Sequence, residues 1–326
     1  MRIVWFQIST ALARALFVVS SACIASVALA AGFPERPINI IVPFAAGGGT
    51  DVTARLFGRG IEKHLAGARV VITPRPGATG EIGAIAAAES KPDGYTLVVL
   101  VTPNVLSVPI ERQSRYTLDS FDLIANLVDD PGTISVLSDS PIRNVAELIA
   151  ASKTMPGGIA VGTSGIGSTG HIAMLLMQKQ YGFNFRNIPF SGHSAARTAM
   201  LSRDIPASFA NLGETIGYAK GQPWRTLGQM SPQRSDLAPA LLTFAEQGYP
   251  IEGGSLRGLA APKGLPSDVL ETLVSTIDKV MADPEFIANA KAIDHPLRYI
   301  KRDEYARVLR EMDAKLREIW KSTPWN

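Results

Sequence analysis

The chain has few of the residues that staple or metallate small proteins: its 326 residues include one cysteine and four histidines. One cysteine excludes an intramolecular disulfide and a zinc site built on paired cysteines. His64, His171, His193 and His295 lack the i, i+3 or i, i+4 partners of helical metal sites, so no metal and no other cofactor is expected. Charge is sparse as well. Charged residues make up 19% of the chain, 32 basic against 29 acidic, and they are interspersed, giving a net +3 and no basic stripe. Binding to a phosphate backbone needs such a stripe, so nucleic acid is excluded as a partner. Beyond the first thirty residues there is no long apolar run: the longest uncharged apolar stretch, residues 95–108, is broken by Pro103-Asn104 and falls short of a membrane span.

The first thirty residues do carry an apolar segment. Arg2 and Arg14 precede an uncharged run over residues 15–31 that contains Ala28-Leu29-Ala30, followed by the proline-punctuated Gly32-Phe33-Pro34-Glu35-Arg36-Pro37. This is the pattern of a secretory signal over residues 1–30. As a membrane anchor the run is short and interrupted by Ser20, Ser21 and Ser26. A lipoprotein acylated on Cys23 is the weaker alternative, because Ser20 stands where a leucine-like residue is expected. Cleavage would remove the only cysteine together with Arg2 and Arg14, leaving a mature chain near charge parity outside the cytoplasmic membrane. Such a chain has no global positive field with which to collect anions.

In the remainder, strand-like and helix-like patterns alternate, which predicts an α/β fold. Strands are expected at residues 38–43, 70–72, 96–101, 134–137, 159–162, 185–190, 205–210 and 259–262. Helices are expected at 50–65, 80–90, 144–153, 169–181, 194–202, at a segment ending near 220, and at 267–282, 284–292 and 302–321. The near-continuous apolar strands imply sheets covered on both faces. Two lobes are the economical arrangement.

Glycine and hydroxyl residues cluster where strands pass into helices. Gly47-Gly48-Gly49-Thr50-Asp51 allows close backbone approach to a ligand, and a following helix start offers free N–H groups to an anion; the plainer reading is a tight turn capped by Thr50 or Asp51. It is not a nucleotide loop: no Gly-Lys-Ser/Thr follows, and Val52 replaces the third glycine of a dinucleotide fingerprint. Residues 162–171 form a second such loop. It lacks the Gly-x-Ser-x-Gly elbow of a serine nucleophile, since Ile166 falls at the required glycine of both Ser164 and Ser168. A third junction is Pro189-Phe190-Ser191-Gly192-His193-Ser194, with Ser194 as a plausible cap. His64 and His295 read as surface residues; for His171 and His193 a ligand contact and a structural hydrogen bond stay equally open. No nucleophile, base and orienting group assemble, so the chain is not expected to be an enzyme. Two facing lobes with such loops at their strand ends predict a cleft that holds a small carboxylate on amides and hydroxyls.

Several motifs, in order, resemble the Bug family, the substrate-binding receptors of tripartite tricarboxylate transporters. They run from Pro34-Glu35-Arg36-Pro37 and Val42-Pro43-Phe44 through Pro76-Gly77-Ala78 and Pro92-Asp93-Gly94-Tyr95 to Gly170-His171, Ser231-Pro232-Gln233-Arg234, Gly258-Leu259-Ala260-Ala261-Pro262 and Gly264-Leu265-Pro266, and so cover nearly the whole mature chain. The resemblance implies a periplasmic, two-lobed Venus flytrap, each lobe a mainly parallel sheet flanked by helices, with lobe 1 at 31–127 and 253–326, lobe 2 at 128–252, and crossovers near 126–130 and 253–258. It implies a monomer that delivers a small carboxylate to the membrane permease; a sensory receptor for the same solutes is the alternative. Carried over by motif, the ligand-binding residues are Phe44, Ala46, Gly47, Gly48 and Asp51, then Thr102 and Asn104, and on the second lobe Ser164, Thr169, His171, Phe190, Ser191, Gly192 and Asn211. The chain departs from the pattern at Ser191, where many members have a basic residue, at Ala210, where an acidic one is frequent, and at Leu256-Arg257, where aromatics are common. Arg257 is therefore a further candidate, either pairing with a second ligand carboxylate or facing solvent at a hinge.

Overall fold

The computed structural model describes residues 32–325; the export segment read at residues 1–30, Cys23 included, lies outside the described residues. The chain divides into residues 1–35 and a unit of residues 36–326, and every strand and helix of the described residues belongs to the second.

β1 (Ile38–Val42) passes into α1 (Gly49–His64), and β2 (Val70–Pro74) lies parallel to β1. α2 (Glu81–Ala88) leads to β3 (Thr96–Val101), parallel to β1 on its other side. α3 (Asn104–Glu111) and the long strand β4 (Phe121–Leu137) follow. Then α4 (Val145–Thr154), β5 (Ile159–Thr163), α5 (Thr169–Tyr181), β6 (Phe185–Pro189), α6 (His193–Leu201), β7 (Ala207–Asn211) and α7 (Leu212–Ala219) alternate, with β5 parallel to both β6 and β7. β8 (Trp224–Gln229) returns antiparallel to β4, and β9 (Gly254–Pro262) runs antiparallel to both β3 and β4. α8 (Ser267–Ala282), α9 (Pro284–Ala292), β10 (Leu297–Lys301) and α10 (Arg302–Ser322) complete the chain.

The sheet order β2-β1-β3-β9-β4-β7-β5-β6 puts one parallel set on each side of the antiparallel pair β9 and β4. This is the expected two-lobed α/β architecture. β4 serves both sides, pairing with β9 and β10 over its first part and with β7 and β8 over its second. From sequence only residues 134–137 of β4 read as strand, because Asp129-Asp130-Pro131-Gly132 has the composition of a turn. Pairing overrides that signal: Asp129, Asp130 and Pro131 lie opposite Leu256, Ser255 and Gly254, and Gly132 lies opposite Asn211. β8, β10 and α3 likewise escaped the periodicity reading, being short and of mixed polarity or, in α3, interrupted by Pro109.

Each half has its own apolar core. Ile41, Val98, Leu100, Leu106, Tyr116, Phe121, Tyr305, Leu309 and Trp325 form one, and Ile134, Val136, Leu148, Val161, Met174, Met177, Phe209 and Phe244 the other. On α10 the apolar residues that recur at helical spacing face the core, with Tyr305, Leu309 and Leu316 buried and Met312 and Ile319 half-buried. Among the described residues no helix is long and apolar enough to cross a membrane, and none of the His, Cys, Asp and Glu side chains group in threes as metal ligands would.

Candidate functional site

The carboxyl ends of the parallel strands on both sides converge, and their loops enclose a cavity of about 30 Å³. Phe44, Gly48, Gly49 and Thr50 contribute from the β1–α1 loop, Val101 and Asn104 from the end of β3, and Ser164 from the end of β5. Gly192, His193 and Ser194 come from the β6–α6 junction, Asn211 and Glu214 from the start of α7, and Ser255 and Arg257 from β9. A buried water occupies on the order of 10–15 Å³ by this measure, so the cavity has room for about two waters and not for an organic acid.

Of the residues expected from sequence, Phe44, Gly48, Asn104, Ser164, Gly192, Asn211 and Arg257 line this cavity. The others are not among its lining residues. Asp51 is buried and accepts the Gly47 amide at 3.0 Å and the Arg55 guanidinium at 2.9 Å, which makes it the internal tie of its own loop. Gly47 lines a second, larger hollow of about 670 Å³, which shares Gly49, Glu214 and Arg257 with the first. The capping reading is corrected at two helices: α1 is capped by Gly48 without a side-chain bond, and α6 begins at His193 after Gly192. Thr102 is buried and accepts the Leu256 amide, and Thr169 bonds Ser255 hydroxyl to hydroxyl at 3.0 Å. Phe190 packs on the cluster around Met200 and Ile205, whereas Ala46 and Ser191 are exposed.

His171 accepts the Gly167 amide on Nδ1 at 3.1 Å, and burial pushes its imidazole down to about 4. His295 is buried, not superficial as its sequence context suggested: it bonds Thr53 at 3.0 Å, and burial, aided by the positive charge of Arg257, lowers it to about 3. His64 is half-buried against Asp283.

Arg257 is 2% exposed and so does not face solvent. Its Nη1 donates to Asp130 Oδ2 at 2.9 Å, and its Nη2 lies 3.7 Å from Glu214 Oε2. The guanidinium rests against Gly49 so closely that a Cβ there would meet Nη2 at 2.7 Å, which is why this position of the triple glycine must stay bare. Asp130, from the middle of β4, takes the Gly213 amide on its other oxygen. Burial is the main influence on Asp130 and raises its carboxyl despite Arg257, with Glu214 adding to the rise.

Glu214 is the residue that sequence reading missed. Its Oε1 accepts the Gly49 amide at 2.7 Å, and its Oε2 accepts from His193 Nδ1 at 2.6 Å and from the Asn211 amide at 3.4 Å. Burial alone would raise this carboxyl. The His193 imidazole against it, with Arg257 and the Gly49 amide in support, outweighs burial and holds Glu214 well below the usual carboxylate range. Asn211-Leu212-Gly213-Glu214 is a capping-box pattern, so the glutamate could have been placed at the third position of a helix. Nothing in that pattern tells that the side chain reaches across to α1.

The profile of the tripartite tricarboxylate transporter family receptor, TctC, matches residues 53–323. The chain belongs to this family. BugT of Bordetella pertussis is 31% identical over 267 residues, spanning 81% of this chain and 82% of BugT. A TctC solute-binding protein from Polaromonas, solved without ligand, is 31% identical, covers 89% of this chain and 100% of its own, and superposes with a TM-score of 0.67. A protein of R. palustris solved with adipate is 25% identical, covers 89% of this chain and 98% of its own, and superposes with a TM-score of 0.82. The TctC family and the fold neighbours are solute-binding proteins, and the receptors of this family are periplasmic.

Proposed function

We propose that the protein is a periplasmic receptor that captures a small carboxylate between its two lobes and hands it to the membrane permease of a tripartite tricarboxylate-type transporter. The observation that carries this reading is the carboxylate of Glu214 on the Gly49 amide at 2.7 Å: the loop at the start of α1 is built to hold a carboxylate oxygen, by backbone N–H at a helix N-terminus. The bound adipate of the R. palustris relative supports the same solute class.

In this reading lobe 1 comprises residues 31–127 and 253–326 and lobe 2 residues 128–252, with β4 and β9 as the strands between them. Phe44, Gly48, Asn104, Ser164, Gly192 and Asn211 contact the solute, and the protein acts as a monomer after export by residues 1–30. Lobe movement is supported by the cavity's small size and by the looser superposition on the ligand-free Polaromonas receptor than on the adipate-bound one, although the former shares more sequence.

The test is a thermal-shift screen of the chain beginning at Ala31 against carboxylates, sugars and inorganic cations. A solute at 100 times its Kd adds about 2.7 kcal/mol to stability. Stabilisation by carboxylates is expected; stabilisation by sugars or cations with no response to any carboxylate refutes the proposal.

A further inference from the structure

We propose that the cleft selects a solute with a single carboxylate, held on Nε2–H of His193, and that Glu214 is a built-in carboxylate occupying the place a second one would take. This rests on the carboxylate-receptor reading and narrows it to a solute class.

Two basic side chains line the cavity: Arg257 is held in place, its Nη1 bound to Asp130, while its Nε is buried without a partner among the described residues. The other is His193, whose side chain is 10% exposed. An ionised carboxylate only accepts, so the 2.6 Å contact with Glu214 Oε2 fixes the proton on Nδ1. Nε2 is buried and has no hydrogen-bond partner among the described residues. A buried ring nitrogen on the wall of a binding cavity, with its opposite nitrogen anchored to a carboxylate, is placed to donate to an incoming anion once protonated.

The same glutamate consumes the amide that the glycine-rich loop would otherwise offer, since Gly49 N–H already donates to Oε1. A solute with two carboxylates would have to displace Glu214 or set its second charge beside it. Like charges in a low-dielectric site repel strongly. A solute with one carboxylate meets no such conflict.

The charged groups around His193 are few. Glu214 faces it from α7, Arg257 and Asp130 stand behind Glu214 on β9 and β4, and on α6 itself Arg197, one turn on, lies over the Tyr218 ring at 5.0 Å. The Phe209 ring of β7 lies tilted against the imidazole at 6.4 Å between centroids. Glu214 is thus a positioning residue for His193, and His193 is the group that touches the solute.

The experiment compares saturated monocarboxylates with α,ω-dicarboxylates of two to eight carbons, plus benzoate, by thermal shift and then by calorimetry on the tightest binder of each class. For the wild-type chain the tightest monocarboxylate is expected to bind at least tenfold more strongly than the dicarboxylate of equal length. His193→Gln is expected to lose at least tenfold for the monocarboxylate. Glu214→Ala should move the preference at least tenfold toward dicarboxylates, and Glu214→Gln, which keeps the side chain's shape but not its charge, should move it in the same direction. Each variant's unfolding temperature without solute checks that it is folded. A wild-type preference for dicarboxylates, or monocarboxylate affinity in His193→Gln within twofold of wild type, overturns the proposal while leaving the carboxylate receptor intact. If no carboxylate of the series binds, the receptor reading falls and this inference falls with it.

Discussion

Replacing Arg257 by methionine tests the charge arrangement under the cleft. Arg257 and Asp130 are 2% and 1% exposed, and they meet at 2.9 Å. Without the guanidinium, Asp130 keeps only the Gly213 amide as a donor, on its other oxygen. Removing one partner of a buried ion pair costs about 3–5 kcal/mol, because an uncompensated charge is left in the interior. For a domain of this size that lowers Tm by about 10 °C. Asp130→Asn in the same chain removes the stranded charge, so the double variant is expected to recover most of the loss. Urea unfolding without solute, followed by circular dichroism, measures both. The reasoning is refuted if Arg257→Met costs less than about 1 kcal/mol, the range of an exposed pair, or if the double variant is no more stable than the single one.

Acid should weaken the fold through His171 and His295. Their folded values, about 4 and about 3, lie below the ordinary histidine value of 6.5, so the unfolded chain binds protons that the folded chain refuses. Their contribution is complete above pH 6.5 and declines as pH falls, toward 4 for His171 and toward 3 for His295; at about 1.4 kcal/mol per unit the losses reach about 3 and about 5 kcal/mol. Glu214, held below the carboxylate range, adds a loss in the same direction at lower pH. A Tm that stays flat between pH 7 and 4.5 would contradict this. Gly49→Ala should cost about 1–3 kcal/mol through overpacking against the pinned guanidinium of Arg257, and the loss should shrink in an Arg257→Met background. Chemical denaturation of the four chains of that cycle decides it, and equal losses in both backgrounds would place the strain elsewhere.

Local pattern made most of the fold legible. The β-branched strands at residues 38–42 and 96–101, the helical spacing of Tyr305, Leu309 and Leu316, and the asparagine cap of α4, where Asn144 accepts the Glu147 amide at 2.8 Å, are short-range signals that packing merely completes. β4 was legible only in part, since a turn-like Asp-Asp-Pro-Gly becomes strand when neighbours pair with it on both edges. The loops of the site were found for the same local reason, as glycine and hydroxyl clusters between strand and helix. Which of their residues face inward was not, because Thr102, Thr169 and Asp51 have the same chemistry as their cavity-lining neighbours and turn instead to Leu256, Ser255 and Gly47.

What the sequence by itself determined is therefore the alternating α/β order and the family, both carried by residues near one another along the chain. Only the tertiary structure decided the charges of the cleft. Arg257 and Asp130 are 127 residues apart, and Glu214 and Gly49 are 165 apart. No periodicity or motif spans such distances; the contacts arise because β4 and β9 bring the two sheet halves together, and burial there forces each charge to find a partner.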